Sequence, residues 1–170
     1  MRVLITGASG SGTSTLARAL AAELGTRAFD LDDYFWVPTS PPFKVKRDAE
    51  ERLSMLVRDL EQVKIALISG SIVTWGRELA DSMSIIVFLT VPTEIRVERL
   101  RRREQEQLGY IDPAFIEWAA QYDEGRLPGR NRQKHEQWLA ERNVPIVRID
   151  GEVSLEHSRS VVLAAMKQLA

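Results

Sequence analysis

The chain has 170 residues, 23 Lys and Arg against 24 Asp and Glu, a formal net charge of −1 and no cysteine. That length suits one domain with its own core; the charge balance argues against nucleic acid as a partner, and the lack of cysteine excludes disulfides and thiolate metal sites. The longest apolar stretch, "IIVFLTV", is too short to cross a bilayer and the opening residues show no signal-peptide pattern, so no membrane partner is expected and the cytoplasm is the expected compartment.

The chain opens on "RVLIT", a short β-branched apolar run that reads as a strand. "GASGSGTST" follows, and then "STLARALAAELG", where Leu16, Leu20 and Leu24 recur at helical spacing and Gly25 is placed to end the helix. Strand, glycine-rich loop and helix together predict a phosphate-binding loop. Gly7, Gly10 and Gly12 let the backbone turn its N–H groups toward one anion, and the positive end of the helix points the same way. Gly7, Ala8, Ser9, Gly10, Ser11, Gly12, Thr13, Ser14 and Thr15 are therefore the candidate nucleotide-binding residues, with the Ser14 hydroxyl in place for Mg²⁺. The pattern G-x-x-x-x-G-K-[ST] calls for lysine where this chain has Thr13.

A second strand, "TRAFDLDD", ends in carboxylates and runs into the proline-broken "VPTSPPF". The stretch "KRDAEERLSMLVRDLEQ" puts Ala49, Leu53, Leu56, Val57 and Leu60 on one stripe, the pattern of a helix lying on a sheet. Three more strands, "VKIALIS", "SIIVFLTV" and "VPIVRID", are the largely unbroken apolar runs of a parallel sheet buried on both faces. Helices are predicted over "TEIRVERLRRREQEQ", "DPAFIEWAAQY", "RQKHEQWLAE" and "SLEHSRSVVLAAMKQL". The alternation predicts a layered α/β fold in a single domain over 1–170, with a lid-like segment at about 104–133.

Asp30, Asp32 and Asp33 stand at the carboxyl end of a parallel strand, beside the crevice where ligands bind. In a phosphoryl transfer, one such carboxylate holds Mg²⁺ through water while another orients the attacking hydroxyl and accepts its proton. The same positions equally suit turn and N-cap aspartates. Trp36 and its aromatic neighbours Tyr34 and Phe35 offer a wall for a substrate ring or an anchor for the core. Lys44 and Lys46, with Arg47, precede a helix start, where cations oppose the dipole and so invite an anion. At the end of the third strand Ser69, Gly70 and Ser71 occupy positions where an aspartate for a second Mg²⁺ contact is usual, and Trp75 and Arg77 lie in the loop beyond as candidate substrate contacts. Arg96, Arg99 and Arg103 share a helical face. Arg126, Arg130 and Arg132 lie in a glycine- and proline-punctuated segment, as expected of a lid that brings guanidinium groups onto phosphates. His135 and His157 show no partner spacing.

With loop, carboxylates, arginine helix and lid-like segment in this order, nearly the whole chain resembles the P-loop nucleoside and nucleotide kinases, including adenylate, cytidylate and shikimate kinases. More narrowly, "LDDYFW", "ALISGSI" and "IIVFLTVP" are similar to the adenylate-kinase-related topology modulation proteins. The resemblance implies a three-layer P-loop NTPase fold with a five-stranded parallel sheet in the order 2-3-1-4-5 and a helical lid. It implies ATP and Mg²⁺, with Ser14, Asp30 and Asp32 on the metal and a small-molecule phosphoryl acceptor as partner, in a monomer or homodimer. Similarity to both shikimate and uridine-type kinases marks Asp32, as a substrate residue or the base. Arg99, Arg126 and Arg130 join it as catalytic candidates, and Asp33, Trp36, Lys44, Lys46 and Arg77 as acceptor contacts. The expected activity is transfer of the γ-phosphoryl of ATP to a nucleoside, nucleotide or other small hydroxyl compound. The alternative, favoured by the missing lysine and aspartate, is a nucleotide-binding module that senses or switches. Archaeal-type cytidylate kinases resemble this loop in carrying threonine at the same place.

Overall fold

The computed structural model describes residues 1–169. Five strands form one wholly parallel sheet in the order β2-β3-β1-β4-β5. They are β1 (Arg2–Gly7), β2 (Arg27–Asp30), β3 (Ala66–Ser69), β4 (Ile85–Thr90) and β5 (Ile146–Asp150). The order follows the expectation. β1, β3 and β4 are the most apolar strands and take the centre, where both faces are covered.

Side chains alternate across the pleat, so each central strand feeds two cores. Leu4, Ile68, Ile86 and Phe88 face one side and pack with Leu56 and Leu60 of α3 (Ala49–Leu60) and with Trp138 and Leu139 of α7 (Arg132–Ala140). Val3, Ile5, Leu67, Ile85 and Val87 face the other, against Leu16, Ala17 and Leu20 of α1 (Thr13–Leu24) and Val162 and Met166 of α8 (Leu155–Gln168). Burying one Leu, Ile or Phe contributes roughly 1.5–3 kcal/mol, so the two cores dominate the stability of the layers.

The stripe on α3 differs from the expectation. Its buried residues are Arg52, Leu56 and Leu60, while Ala49 is exposed and Leu53 and Val57 are half-buried. Asp48 starts the helix, its carboxylate accepting from the N–H groups of Glu50 and Glu51. Two single-turn helices, α2 (Leu31–Phe35) and α4 (Arg77–Asp81), have no counterpart in the sequence reading, because five residues are too few to display a period. The segment 104–133 contains the end of α5 (Thr93–Leu108), α6 (Pro113–Ala120) and the loop into α7, with Leu100, Ile116 and Ala119 forming a small core between α5 and α6.

Candidate active site

All five strands end on one edge, and the loops there meet above β1, where the chain crosses from the β3 side to the β4 side. Gly7 closes β1 with no room for a side chain: a Cβ there would lie 2.5 Å from the Leu89 carbonyl oxygen and 2.8 Å from Ser11 Oγ. Gly10 (φ 83°) is pressed on the Arg96 carbonyl, and Gly12 (φ 95°) starts α1 with no side-chain cap. The first-turn N–H groups of α1 are thus left to a ligand, in the orientation that binds anions. Thr13 makes no side-chain hydrogen bond among the described residues. Ser69 Oγ donates to Ser14 Oγ at 3.4 Å, so the usual aspartate position at the end of β3 supplies a hydroxyl.

Asp30 is the last residue of β2, in register with Ser69, and its side chain is already engaged. It accepts from the Asp32 N–H at 3.2 Å, capping α2, and lies 3.6 Å from Arg18. The turn of α2 then sends the next two carboxylates apart. Burial and Asp30 push Asp32 above the usual aspartate range, while Arg130 and Arg103 pull it down. Asp33 is raised by burial and Asp30 but faces Arg18 instead. Asp32 is therefore the aspartate turned toward the arginines of the cleft.

The candidate cations separate sharply. Arg130 reaches back to the loop, donating to Ser9 Oγ at 2.7 Å, with its guanidinium 5.4 Å from the Trp118 ring and its buried Nε without a partner. Burial opposes its charge, and Asp32 and Tyr122 support it. Arg126 instead pairs with Glu124, Arg99 with Glu152 at 3.1 Å and Arg77 with Asp81 at 3.2 Å. Arg99 sits on the other side of the loop, bordering a small cleft with Ser11, Val91, Gly151 and Val153. Arg132 lies 3.5 Å from Asp123. Lys44 is exposed. Trp36 and Lys46 form an antiparallel bridge that folds the segment 37–45 into a hairpin, with Trp36 edge-on to Phe35 and the Lys46 ammonium 5.9 Å from the Phe35 ring centre. The structure thus groups Ser9, Ser14, Asp30, Asp32 and Arg130 about the loop, and leaves Arg77, Arg99, Arg126 and Lys44 apart from them.

Three residues gain roles that sequence spacing did not give them. Arg52 is 8 % exposed on the core stripe of α3. Its guanidinium lies 4.6 Å from the Phe35 ring and 4.9 Å from the Trp75 ring, and it makes no hydrogen bond or ion pair among the described residues. A charge at a stripe position was the available signal. Arg96, 1 % exposed, donates to the carbonyls of Val91, Ser9 and Ala119 and to Thr93 and Asp123, so it ties the loop to α6 and is no part of an exposed arginine face. His135 is buried and hydrogen-bonded through both ring nitrogens. Nothing in its spacing marked it.

A phosphate cradle after the central strand of a β2-β3-β1-β4-β5 sheet defines the P-loop fold of nucleotide kinases. The chain belongs to the family described as AAA domain, whose model matches residues 3–111. It is 36% identical over 169 residues to the uncharacterized protein YqaC of Bacillus subtilis (strain 168), covering 94% of this chain and 93% of that one. Among solved structures it resembles a shikimate kinase from Bacteroides thetaiotaomicron, with TM-score 0.63, 19% identity and 98% of each chain covered. It also resembles a deoxyadenosine kinase from M. mycoides with bound dATP, with TM-score 0.60, 13% identity and 98% and 100% coverage. A gluconokinase from Sinorhizobium meliloti 1021 matches with TM-score 0.57, 18% identity and 99% and 93% coverage. These likenesses are likenesses of fold.

Proposed function

We propose that the protein transfers the γ-phosphoryl group of ATP to a hydroxyl of a small anionic molecule. The observation that carries this reading is the placement of Arg130 on Ser9 of the phosphate loop, within electrostatic reach of Asp32. A cation beside the transferred group and a base beside the acceptor are what phosphoryl transfer requires of side chains. The acceptor oxygen attacks the γ-phosphorus, Asp32 takes the hydroxyl proton, and the bond to the β,γ-bridging oxygen breaks to release ADP. The raised affinity of Asp32 for a proton suits that role.

Sheet order divides the cleft. In this reading the base of the nucleotide lies on the β4–β5 side and the acceptor on the β2–β3 side, with Asp32 and Arg52. Arg52, flanked by two rings and lacking a carboxylate partner, fits a carboxylate or phosphate of the acceptor, with Lys46 beside it. Asp33 and Trp36 border this side, while Lys44 and Arg77 would have to turn inward to join it. Among the described residues no three His, Asp or Glu form a metal cage. One hydroxyl and nearby carboxylates beside a phosphate cradle are nevertheless the donors that Mg²⁺ takes together with a nucleotide. Ser14 would hold it directly and Asp30 or Asp32 through water, and the ion would neutralise phosphate charge.

Losing one preorganised donor to transition-state charge costs about 3 kcal/mol, and Arg130 offsets the absence of lysine at Thr13. A second reading, binding of nucleotide without transfer, is favoured by Thr13 and Ser69 standing where lysine and aspartate are usual. A screen of ATP consumption with Mg²⁺ against D-gluconate, shikimate, nucleosides and nucleoside monophosphates separates them. Turnover with an anionic member supports the first reading. Nucleotide binding with no turnover on any member supports the second.

A further inference from the structure

His135 lies on α7, 1 % exposed, with both ring nitrogens engaged. The Tyr122 hydroxyl is 2.6 Å from Nδ1, and the Ser71 hydroxyl is 2.9 Å from Nε2. Phe88 stands edge-on to the ring. Burial, with Arg130 nearby, lowers its pKa to about 4, so the imidazole is neutral at pH 7. A neutral imidazole carries one N–H, and the three groups can be ordered in only two ways.

If Nδ1 carried the proton it would donate to Tyr122, Nε2 would accept from Ser71, and the Tyr122 proton would be left over. That hydroxyl is buried, His135 is its hydrogen-bond partner among the described residues, and burial keeps the phenol protonated. The leftover donor would then be desolvated with nothing to bind. In the opposite order Tyr122 donates to Nδ1, Nε2–H donates to Ser71 Oγ, and the proton left over belongs to Ser71. Ser71 is half-buried, at the edge where ligands bind. The second order satisfies every buried donor and leaves the spare one at the open end.

The position of that open end gives it a use. Ser71 follows Ser69, whose hydroxyl touches Ser14, and its loop continues to Trp75, one of the rings flanking Arg52. Along the chain it lies between the strand-end hydroxyl that touches the phosphate loop and the ring that flanks Arg52. We propose that Ser71 donates a hydrogen bond to an oxygen of the phosphoryl acceptor, its proton turned into the cleft by the Tyr122–His135 relay. The ligand depends on the kinase reading above, whereas the direction of the relay does not. A donor fixed in this way favours acceptor oxygens, above all the charged ones of a carboxylate or phosphate. His135 and Tyr122 act through Ser71 and are positioning residues. Because Tyr122 follows α6, and its carbonyl accepts the Arg132 N–H at 3.0 Å, the relay also links the lid-like segment to the acceptor side.

Two measurements on the intact chain test this. In ¹⁵N spectra at pH 7, the ring of His135 is expected to be neutral with the proton on Nε2; a proton on Nδ1 overturns the relay. Binding of D-gluconate, shikimate and AMP is read by tryptophan fluorescence on the protein loaded with ADP and Mg²⁺. Ser71→Ala is expected to weaken the best of the three by about ten- to a hundredfold, with Ser71→Thr restoring it and ADP affinity unchanged. An unchanged acceptor affinity overturns the donor role, as does equal weakening of acceptor and ADP. No binding of any of the three to the parent protein also counts against it. Binding without turnover upholds the donor and sinks the kinase reading alone.

Discussion

Mild acid should destabilise this protein through His135. The ring is held neutral in the fold, with a pKa near 4 against an ordinary 6.5. Below pH 6.5 the unfolded chain takes up a proton that the folded chain refuses until pH falls to about 4, so the stabilisation is complete above pH 6.5 and drains away toward pH 4. Each pH unit inside that window is worth about 1.4 kcal/mol. Acidification from pH 7 to pH 5 therefore removes about 2 kcal/mol, or roughly 4–8 °C of Tm for a chain of this size. Asp32 works the other way, since its raised pKa makes protonation favour the fold, and a single acid profile would mix the two effects. The difference between the parent and His135→Gln isolates the histidine. Urea unfolding followed by circular dichroism at pH 7, 6 and 5 should show the stability gap between them shrinking by about 2 kcal/mol on going from pH 7 to pH 5. If both proteins lose stability in parallel over that range, the ring is not held neutral and the reasoning fails.

Asp32→Asn should lower kcat by about two to four orders of magnitude with ATP affinity largely kept, whereas Asp33→Asn, facing Arg18, should do much less; steady-state kinetics with isothermal titration distinguish them. Arg130→Met should cost about a hundred- to a thousandfold in kcat, and Thr13→Lys in the same chain should recover part of it; no recovery would mean that the two positions do not serve one charge. Arg96→Met should destabilise the fold by about 3 kcal/mol, the lower end for a broken buried pair because Asp123 is partly exposed, and equilibrium unfolding measures it. Hydrogen exchange over residues 104–133 should slow when ATP, Mg²⁺ and an acceptor are all present, and unchanged exchange removes the lid from the mechanism.

The layers and the loop at their centre are legible along the chain. "RVLIT", "ALIS" and "IIVFLT" are mostly apolar on both faces of the pleat, as strands covered on both sides are, and Gly7, Gly10 and Gly12 between such a strand and a leucine-striped helix mark an anion cradle. These are local properties, set by side-chain period and backbone freedom. Which charges meet across the cleft is not local. Arg96, Arg99, Arg126 and Arg130 look alike along the chain, yet one is buried as a tie, two are absorbed by neighbouring carboxylates, and one reaches the loop across 121 positions of sequence. Arg52 occupies an apolar stripe, and its meaning appears only when Phe35, at the end of α2, and Trp75, in the loop after β3, close on it. His135 was mute for the same reason: Ser71 and Tyr122 come from two separate segments, and only the packing of α7 on β4 brings them to its two nitrogens. A carboxylate's pKa, a cation's partner and a proton's direction depend on what stands within a few ångströms, and that is set by which distant segments the packing brings together.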